Sequence, residues 1–444
     1  MAKLCPPYSG SWLERRLHED WRRSASMHVD NAGFYFVLMA LAAGVAMVLR
    51  RVLPSERALL AEDERGGRLL TLDGLRGVLA TSVFSHHAIL YFYFARNGNW
   101  RELPSNFYAQ MGVLPVTLFF FITGYLFWSK LMKRPTLEFL PFMKERLGRL
   151  GGAYWFACVV LFVMVMAESG YVRQVSWGRL FVEALGWLSF LGAGHDMNHL
   201  FDSKRLLGQV WTLRLEWMFY LSLPLFGWFA RRRVRLAGLL AAALLLSVVI
   251  GRVNLGFSGA ANFVWKMLGD YAQVLAVTFS GGMIVAAISF TEPMKAWARS
   301  RYATALSGLL LLLTLVLVRP EHGLLETVML TFPFACICFG NTWFGLLVSS
   351  PMRTLGRISY SFYLLHVFVL HAGLAMLSSY VAIGSLDAWK FWSFIAVCEV
   401  VAVMASYASY HYLEQPYVRL QKIRSVVLVS KLETVPDYHS PLRL

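Results

Sequence analysis

Charged residues are scarce in this chain. Asp, Glu, Lys and Arg make up 15% of its 444 residues, where soluble domains run near ~25%. With 57% apolar residues and a mean hydropathy of +0.52, that shortage excludes a disordered chain and an ordinary string of soluble domains. Cysteine is equally sparse. Cys5, Cys158, Cys336, Cys338 and Cys398 form an odd set, four of them in or beside apolar runs. A disulfide framework is therefore excluded, and small apolar filling is expected. The Cys336/Cys338 pair has no second ligand pair beside it, so no metal site is expected. Acidic residues are short in particular: 26 against 42 Lys and Arg, a formal net charge of +16. In a soluble protein such an excess suggests nucleic acid. Here the basic residues gather in short loops between apolar runs, as in membrane proteins, and no nucleic-acid partner is expected. No internal repeat is visible, which weighs against a repeat-built transporter.

What is abundant is apolar and aromatic: Phe 32, Trp 15 and Tyr 19, a composition suited to aromatic belts at a membrane interface. Stretches long enough to cross a bilayer, roughly 17–25 residues each, recur near 33–50, 74–95, 109–129, 150–168, 207–230, 235–251, 266–290, 302–318, 323–347, 358–380 and 389–412. The segment 180–193 is apolar but short and contains Glu183, so it is read as re-entrant or interfacial. The expected fold is an all-α polytopic membrane helix bundle, a ten-helix core plus one extra N-terminal span. Residues 1–69 form a tail, an accessory span and a cytoplasmic linker; 70–417 form the membrane domain; 418–444 form a cytoplasmic tail. About thirty residues follow the last span, so no soluble domain is expected in that tail.

Orientation follows from the basic loops. Loops 130–149, 231–235, 291–301 and 353–357 hold 15 Lys/Arg in 41 residues, whereas the alternate loops hold 10 in 86. The first set is expected to be cytoplasmic, together with Lys422, Arg424 and Lys431 of the C-terminal tail. Arg15, Arg16, Arg22 and Arg23 then fall outside if 33–50 spans. Because the polar stretch before it is long, residues 33–50 are not expected to be a cleaved signal peptide.

Ionisable residues within spans are costly and are functional candidates. Arg76 and His87 are eleven residues apart, which returns a helix to nearly the same face after about 16 Å of rise. Arg76 is thus expected near the cytoplasmic surface with His87 above it near mid-membrane, while His86 points about 100° away. Alone, the pair reads equally as a snorkelling Arg and a His bonding between helices. Arg146 and Arg149 share a helix face at the cytoplasmic interface, where two guanidiniums can fork onto phosphate oxygens; a plain positive-inside anchor is the simpler reading of that pair. Glu216 is expected about 13 Å below the outer end of its span, close to the level of His87. There a carboxylate would fix the imidazole of a general base, unless it pairs with Arg214. His366 and Glu399 are also intramembrane, and Glu414 closes the last span.

In collinear order over about 70–417, the chain resembles the acyltransferase-3 family of integral membrane O-acyltransferases. Arg76 and His87 match its R-x10-H pattern, and Phe119 to Tyr125 resembles its F-F-x-x-S-G-[FY] run, with Thr123 for the usual Ser. Arg146 and Arg149 resemble its R-x-x-R pair, followed by Gly151-Gly152 where a Pro often stands. Trp211 to Tyr220 resembles its W-[ST]-L-x-x-E-x-x-F-Y block, Phe279 to Gly282 its small-residue turn, Ile358 to His366 its I-S-Y-x-x-Y-L-x-H block, and Glu414-Gln415-Pro416 its closing E-x-P.

The resemblance implies transfer of an acyl group, usually acetyl, from cytoplasmic acyl-CoA to a hydroxyl of a sugar or glycan outside the membrane. The membrane implied is the bacterial inner membrane. Acyl-CoA is then the donor substrate, with no bound cofactor. Arg76, Arg146 and Arg149 would hold CoA phosphates. His87 would deprotonate the acceptor or accept the acyl group transiently, with Glu216 beside it. Trp211, Tyr360, His366 and Glu414 would support them. The competing readings are a secondary transporter of a lipid-linked sugar or solute, relaying protons through His87, Glu216 and Glu399, and a regulatory protein of degenerate acyltransferase fold.

Overall fold

The computed structural model describes residues 28–65, 69–98, 100, 103–133, 138–190, 196–198, 204–230, 233–252, 259–288 and 291–420. The basic residues expected at either terminus lie outside these. The regular elements are helices. In chain order they are α1 (Gly33–Val52), α2 (Pro54–Arg65), α3 (Leu70–Asn97), α4 (Asn106–Lys133), α5 (Phe139–Glu168), α6 (Trp177–Leu188), α7 (Lys204–Leu207) and α8 (Trp211–Phe229). There follow α9 (Arg233–Arg252), α10 (Gly259–Val274), α11 (Ser280–Ala287), α12 (Glu292–Ala298), α13 (Arg301–Leu317), α14 (Leu324–Cys338), α15 (Ser350–Ser378) and α16 (Ala388–Ser409).

Among the described residues, seven helices are long and apolar enough to cross a membrane: α1, α3, α4, α5, the run Ala261–Ala287, α15 and the run Ala388–Leu420. The α12–α13 pair, bent by 61°, makes an eighth if taken as one span. The expected ten-helix core is therefore only partly reproduced. Of the eleven expected spans, 207–230, 235–251 and 323–347 fall outside this set. For 323–347 the cause is local. The helix stops at Cys338, and Gly340, Trp343, Phe344 and Gly345 all take positive φ (96°, 49°, 55°, 88°), a left-handed turn that no helix continues through. Of the segment 180–193 expected to be re-entrant or interfacial, 191–193 lie outside the described residues and 180–188 belong to α6, with Trp177, Phe181 and Val182 exposed and Arg179 paired to Glu183 at 2.9 Å. This two-sided helix suits the plane of a membrane surface.

Backbone contact between α3 and α15 organises the centre. A Cβ on Gly77 would lie 2.4 Å from the Met352 carbonyl oxygen, and one on Gly356 would lie 1.7 Å from that of Asp73. Only glycine allows the two helices so close, which is how membrane helices gain packing where no hydrophobic force drives them together. A second close approach joins α4 to α11. A Cβ on Gly124 would meet the Phe279 carbonyl oxygen at 2.5 Å, and one on Gly282 that of Phe121 at 1.9 Å. The Phe119–Tyr125 and Phe279–Gly282 motifs are thus the two halves of one interface.

The N-terminal segment is fastened to the bundle rather than appended to it. Phe34 stacks on Trp392 at 5.5 Å, Tyr35 shares a hydrogen bond with Ser82 at 3.0 Å, and Arg50 donates to Ser350 at 2.7 Å. The stretch expected as a linker forms α2. Its buried Glu56 accepts from Arg357 at 2.5 Å and Thr354 at 2.7 Å. Cys158, Cys336, Cys338 and Cys398 are buried free thiols, in keeping with apolar filling.

Candidate active site

α3 carries both ends of the site. It runs from the end of the bundle that bears the basic loops, called here the basic end, to the opposite end, where Gly98 (φ 69°) caps it by donating its N–H to the Phe94 carbonyl. Arg76 sits six residues into the helix, half-buried, and His87 eleven residues further. His87 Nδ1 lies 2.9 Å from the Val83 carbonyl oxygen and 3.2 Å from Nε2 of His366. The α3–α15 contact brings these two histidines together. They stand ten and eleven residues beyond Gly356 and Arg76 on neighbouring helices. His86 diverges as the helical geometry requires. Its Nδ1 meets the Tyr108 carbonyl oxygen at 2.8 Å, and its ring covers Gly112, where a Cβ would lie 2.6 Å from it.

A cavity of about 300 Å³ opens beside His87, lined also by His86, Trp100, Arg205, Gln209 and Trp211. His86 borders it despite leaving the Arg76 stripe. The far wall comes from a segment that the sequence placed at the membrane surface. Residues 204–211 instead dip into the bundle: Gln209 is buried and donates from Nε2 to the Tyr363 carbonyl oxygen at 3.1 Å, and Tyr363 donates its hydroxyl back to the Gln209 carbonyl oxygen at 2.9 Å. Trp211 reaches Phe120 at 6.2 Å and His322 at 5.6 Å between ring centroids.

That dip changes the role open to Glu216. It lies seven residues beyond Gln209, so about 10 Å nearer the basic end, and not at the level of His87. Its carboxylate accepts from Thr123 at 3.3 Å and from the Tyr220 hydroxyl; neither His87 nor Arg214 is among its hydrogen-bond partners. The Thr in place of the family's usual Ser is thus a hydroxyl donor to this carboxylate. Tyr220 in turn packs on Phe127 at 5.1 Å and Phe142 at 5.8 Å, and the Arg146 guanidinium lies over both rings at 5.5 and 5.6 Å. Glu216 therefore belongs to the arginine cluster.

At the basic end, Arg146 is ion-paired with Glu145 at 2.6 Å. The Nε atoms of Arg76 and Arg146 are buried with no hydrogen-bond partner among the described residues. Arg149 is half-buried, and its positive charge, with that of Arg76, acts on the Glu414 carboxyl. Glu414 accepts directly from Ser361 at 2.5 Å. The α5 start reaches this corner because Gly148 lies against the Tyr417 ring, whose hydroxyl donates to the Lys144 carbonyl oxygen at 3.0 Å. Tyr360 donates to the Leu150 carbonyl oxygen at 3.0 Å and so ties α15 to α5 between the two sites. Arg76, Arg149 and Glu414, far apart in sequence, converge here, while His87, His366 and Trp211 converge at the cavity.

Trp100, Arg205 and Gln209 were not singled out from the sequence, nor was His322, whose Nδ1 lies 2.9 Å from the Thr117 hydroxyl. Burial pushes the His322 imidazole down to about 4, so it is neutral near pH 7. The cavity residues among them lie on connecting segments, where hydrophobic periodicity carries no signal.

The profile of the Acyl_transf_3 family, described as an acyltransferase domain, matches residues 69–411. YrhL of Bacillus subtilis (strain 168), named as a candidate peptidoglycan O-acetyltransferase, is 27% identical over 391 residues, covering 80% of this chain and 55% of YrhL. The O-acetyltransferase OatA of Staphylococcus aureus (strain NCTC 8325 / PS 47) is 24% identical over 373 residues, covering 78% of this chain and 56% of OatA. The chain thus spans about half the length of these relatives. No solved structure matches it significantly. With the family profile running from the start of α3 almost to the end of the last span, the chain belongs to the acyltransferase-3 family of membrane proteins.

Proposed function

We propose that this protein transfers an acyl group, acetyl in the simplest case, from acyl-CoA at the basic end to a sugar hydroxyl that enters by the cavity at the opposite end. One observation carries the reading. A single helix, α3, bears Arg76 in a cluster with Arg149 and Glu414, and bears His87 on the wall of the cavity. The two lie about 16 Å apart along the axis, a span suited to an extended pantetheine arm. The names of YrhL and OatA favour acetyl as the acyl group and a cell-wall glycan as acceptor, and the basic loops favour a cytoplasmic donor side.

In this mechanism the arginines hold the phosphates of the donor by charge-assisted hydrogen bonds. The thioester lies along the Tyr360 and Tyr363 face of α15. His87 takes the proton of the acceptor hydroxyl as its oxygen attacks the thioester carbonyl carbon. The C–O bond forms, the C–S bond breaks, and the leaving thiolate takes the proton back from His87, giving an ester and free CoA. Trp100 and Trp211 offer apolar faces to a sugar ring, and Glu216, through Tyr220, orders the aromatic shelf under Arg146.

The test is acyl transfer by purified His87→Ala and His86→Ala proteins, with acetyl-CoA as donor and muropeptides as acceptor, beside their melting temperatures. His87→Ala is expected to lower turnover by at least about 10²-fold, the low end of general-base contributions, at near-normal melting. His86→Ala should lose far less. Near-normal turnover in His87→Ala, or greater damage from His86→Ala, would overturn the assignment.

A further inference from the structure

We infer that His366 is a positioning residue that fixes the tautomer of His87 and steadies the proton His87 takes. The inference rests on His87 being the base. It follows from four atoms. His366 Nδ1 lies 2.8 Å from the Phe362 carbonyl oxygen. A carbonyl only accepts, and a neutral imidazole has one N–H, so that N–H is on Nδ1 and Nε2 of His366 carries a lone pair. This lone pair faces His87 Nδ1 at 3.2 Å, and the Val83 carbonyl oxygen faces the same nitrogen at 2.9 Å. Two acceptors converging on one nitrogen place the N–H of His87 on Nδ1. Its Nε2 is left as the basic atom of a ring that borders the cavity.

His366 takes no part in lining the cavity and is fully buried, so it acts on the chemistry through His87. Its ring is held by stacking on Phe362 (5.8 Å between centroids, 14° between planes). The two acceptors differ in what they add. The Val83 carbonyl also accepts the backbone N–H four residues on, as every carbonyl in a helix interior does, so it is shared. The His366 lone pair has no such duty. When His87 becomes a cation during transfer, its Nδ1–H bond to His366 becomes charge-assisted and strengthens. The gain appears only in the transition state, so it acts on kcat more than on KM. The base, its orienting acceptor and a backbone anchor for that acceptor form the same chain of roles as other activated bases, with an imidazole where a carboxylate often stands. Glu216, bound to Thr123 and Tyr220, does not fill that place.

The variants that separate this from a structural role are His366→Gln, whose amide oxygen reaches the position of Nε2 and keeps an acceptor there, and His366→Asn, an equally polar side chain too short to reach. His366→Leu removes the acceptor outright. Two readouts are combined. The first is the ¹⁵N NMR spectrum of ring-labelled histidine in reconstituted protein, with the His87 signals identified by their loss in His87→Ala. Wild type and His366→Gln should show Nδ1 protonated and Nε2 unprotonated at His87, and His366→Asn should show a mixture. The second is steady-state transfer from acetyl-CoA to muropeptides. His366→Asn and His366→Leu should lose about 10–100-fold in kcat, the worth of a hydrogen bond to a charged group, with KM values little changed, and His366→Gln should recover most of it. An Nε2-protonated His87 in the wild type, or an unchanged tautomer in His366→Asn, overturns the inference whatever the kinetics show. Full turnover in His87→Ala with the tautomer dependence intact would instead refute the base assignment on which it rests.

Discussion

Replacing Gly356 by alanine adds one methyl group to α15, and the structure sets its cost. The new Cβ would lie 1.7 Å from the Asp73 carbonyl oxygen of α3. That atom is backbone and no rotamer change moves it. Ordinary contact begins near 3.4 Å, so the helices must separate there by about 1.7 Å or bend around the methyl. Overpacking of this kind typically costs about 1–3 kcal/mol, and membrane helices have little other than close packing to recover it with. The effect does not stay local. His366 stands ten residues further along α15, and its 3.2 Å contact with His87 passes out of hydrogen-bond range if even part of the separation reaches that level. A misplacement of about 1 Å is worth up to about 10²-fold in rate. Gly356→Ala is therefore expected to melt lower than wild type and to lose about 10–100-fold in acetyl transfer, while donor binding falls less. Gly44→Ala on α1 is the control. A Cβ there meets nothing within 4 Å, and alanine favours helix by up to ~1 kcal/mol, so melting should hold or rise. The assays are melting in detergent and transfer from acetyl-CoA to muropeptides for both proteins. If Gly356→Ala matches wild type in both, the close approach of α3 and α15 does not set the histidine pair, and the reasoning fails.

Two further outcomes are expected. Glu56→Gln removes the carboxylate from a buried pair whose side chains are 1% and 5% exposed; loss of one partner of such a pair costs about 3–5 kcal/mol, so the variant should melt markedly lower and α2 should become protease-sensitive, and an unchanged melting curve would show that α2 contributes little to holding α15. Arg149→Ala should weaken binding of a non-hydrolysable acetyl-CoA analogue, more at low salt than at high salt, with His87-dependent steps untouched; equal affinity at both salt concentrations would remove Arg149 from the donor site.

Much of this protein was legible in the linear chain, for physical reasons. Low charge and long apolar runs dictate helices in a membrane, because a bilayer leaves backbone groups no other partner. The stripe joining Arg76 to His87 depends only on helical geometry, and it survives folding because α3 is one unbroken helix. The divergence of His86 is equally local. What no linear reading supplied was depth and pairing between elements. Glu216 was set level with His87 by counting from an assumed surface, but residues 204–211 dip into the bundle through Gln209 and Tyr363, and this moves Glu216 down to Tyr220 and the arginines. Likewise 323–347 read as one span, although its helix stops at Cys338, where Gly340 turns left-handed, and Trp343 and Phe344 follow with positive φ; Gly340 is the kind of residue that closes a helix, but a lone glycine in an apolar run does not by itself announce a break. The pairing of His87 with His366 was invisible in spacing, since they are 279 residues apart. It arises because Gly77 and Gly356 let two backbones touch, and only the packed bundle decides which helices meet. The sequence determined the medium, the helices and the chemistry each helix carries; tertiary packing decided which chemistries face one another, because that depends on contacts between residues hundreds of positions apart.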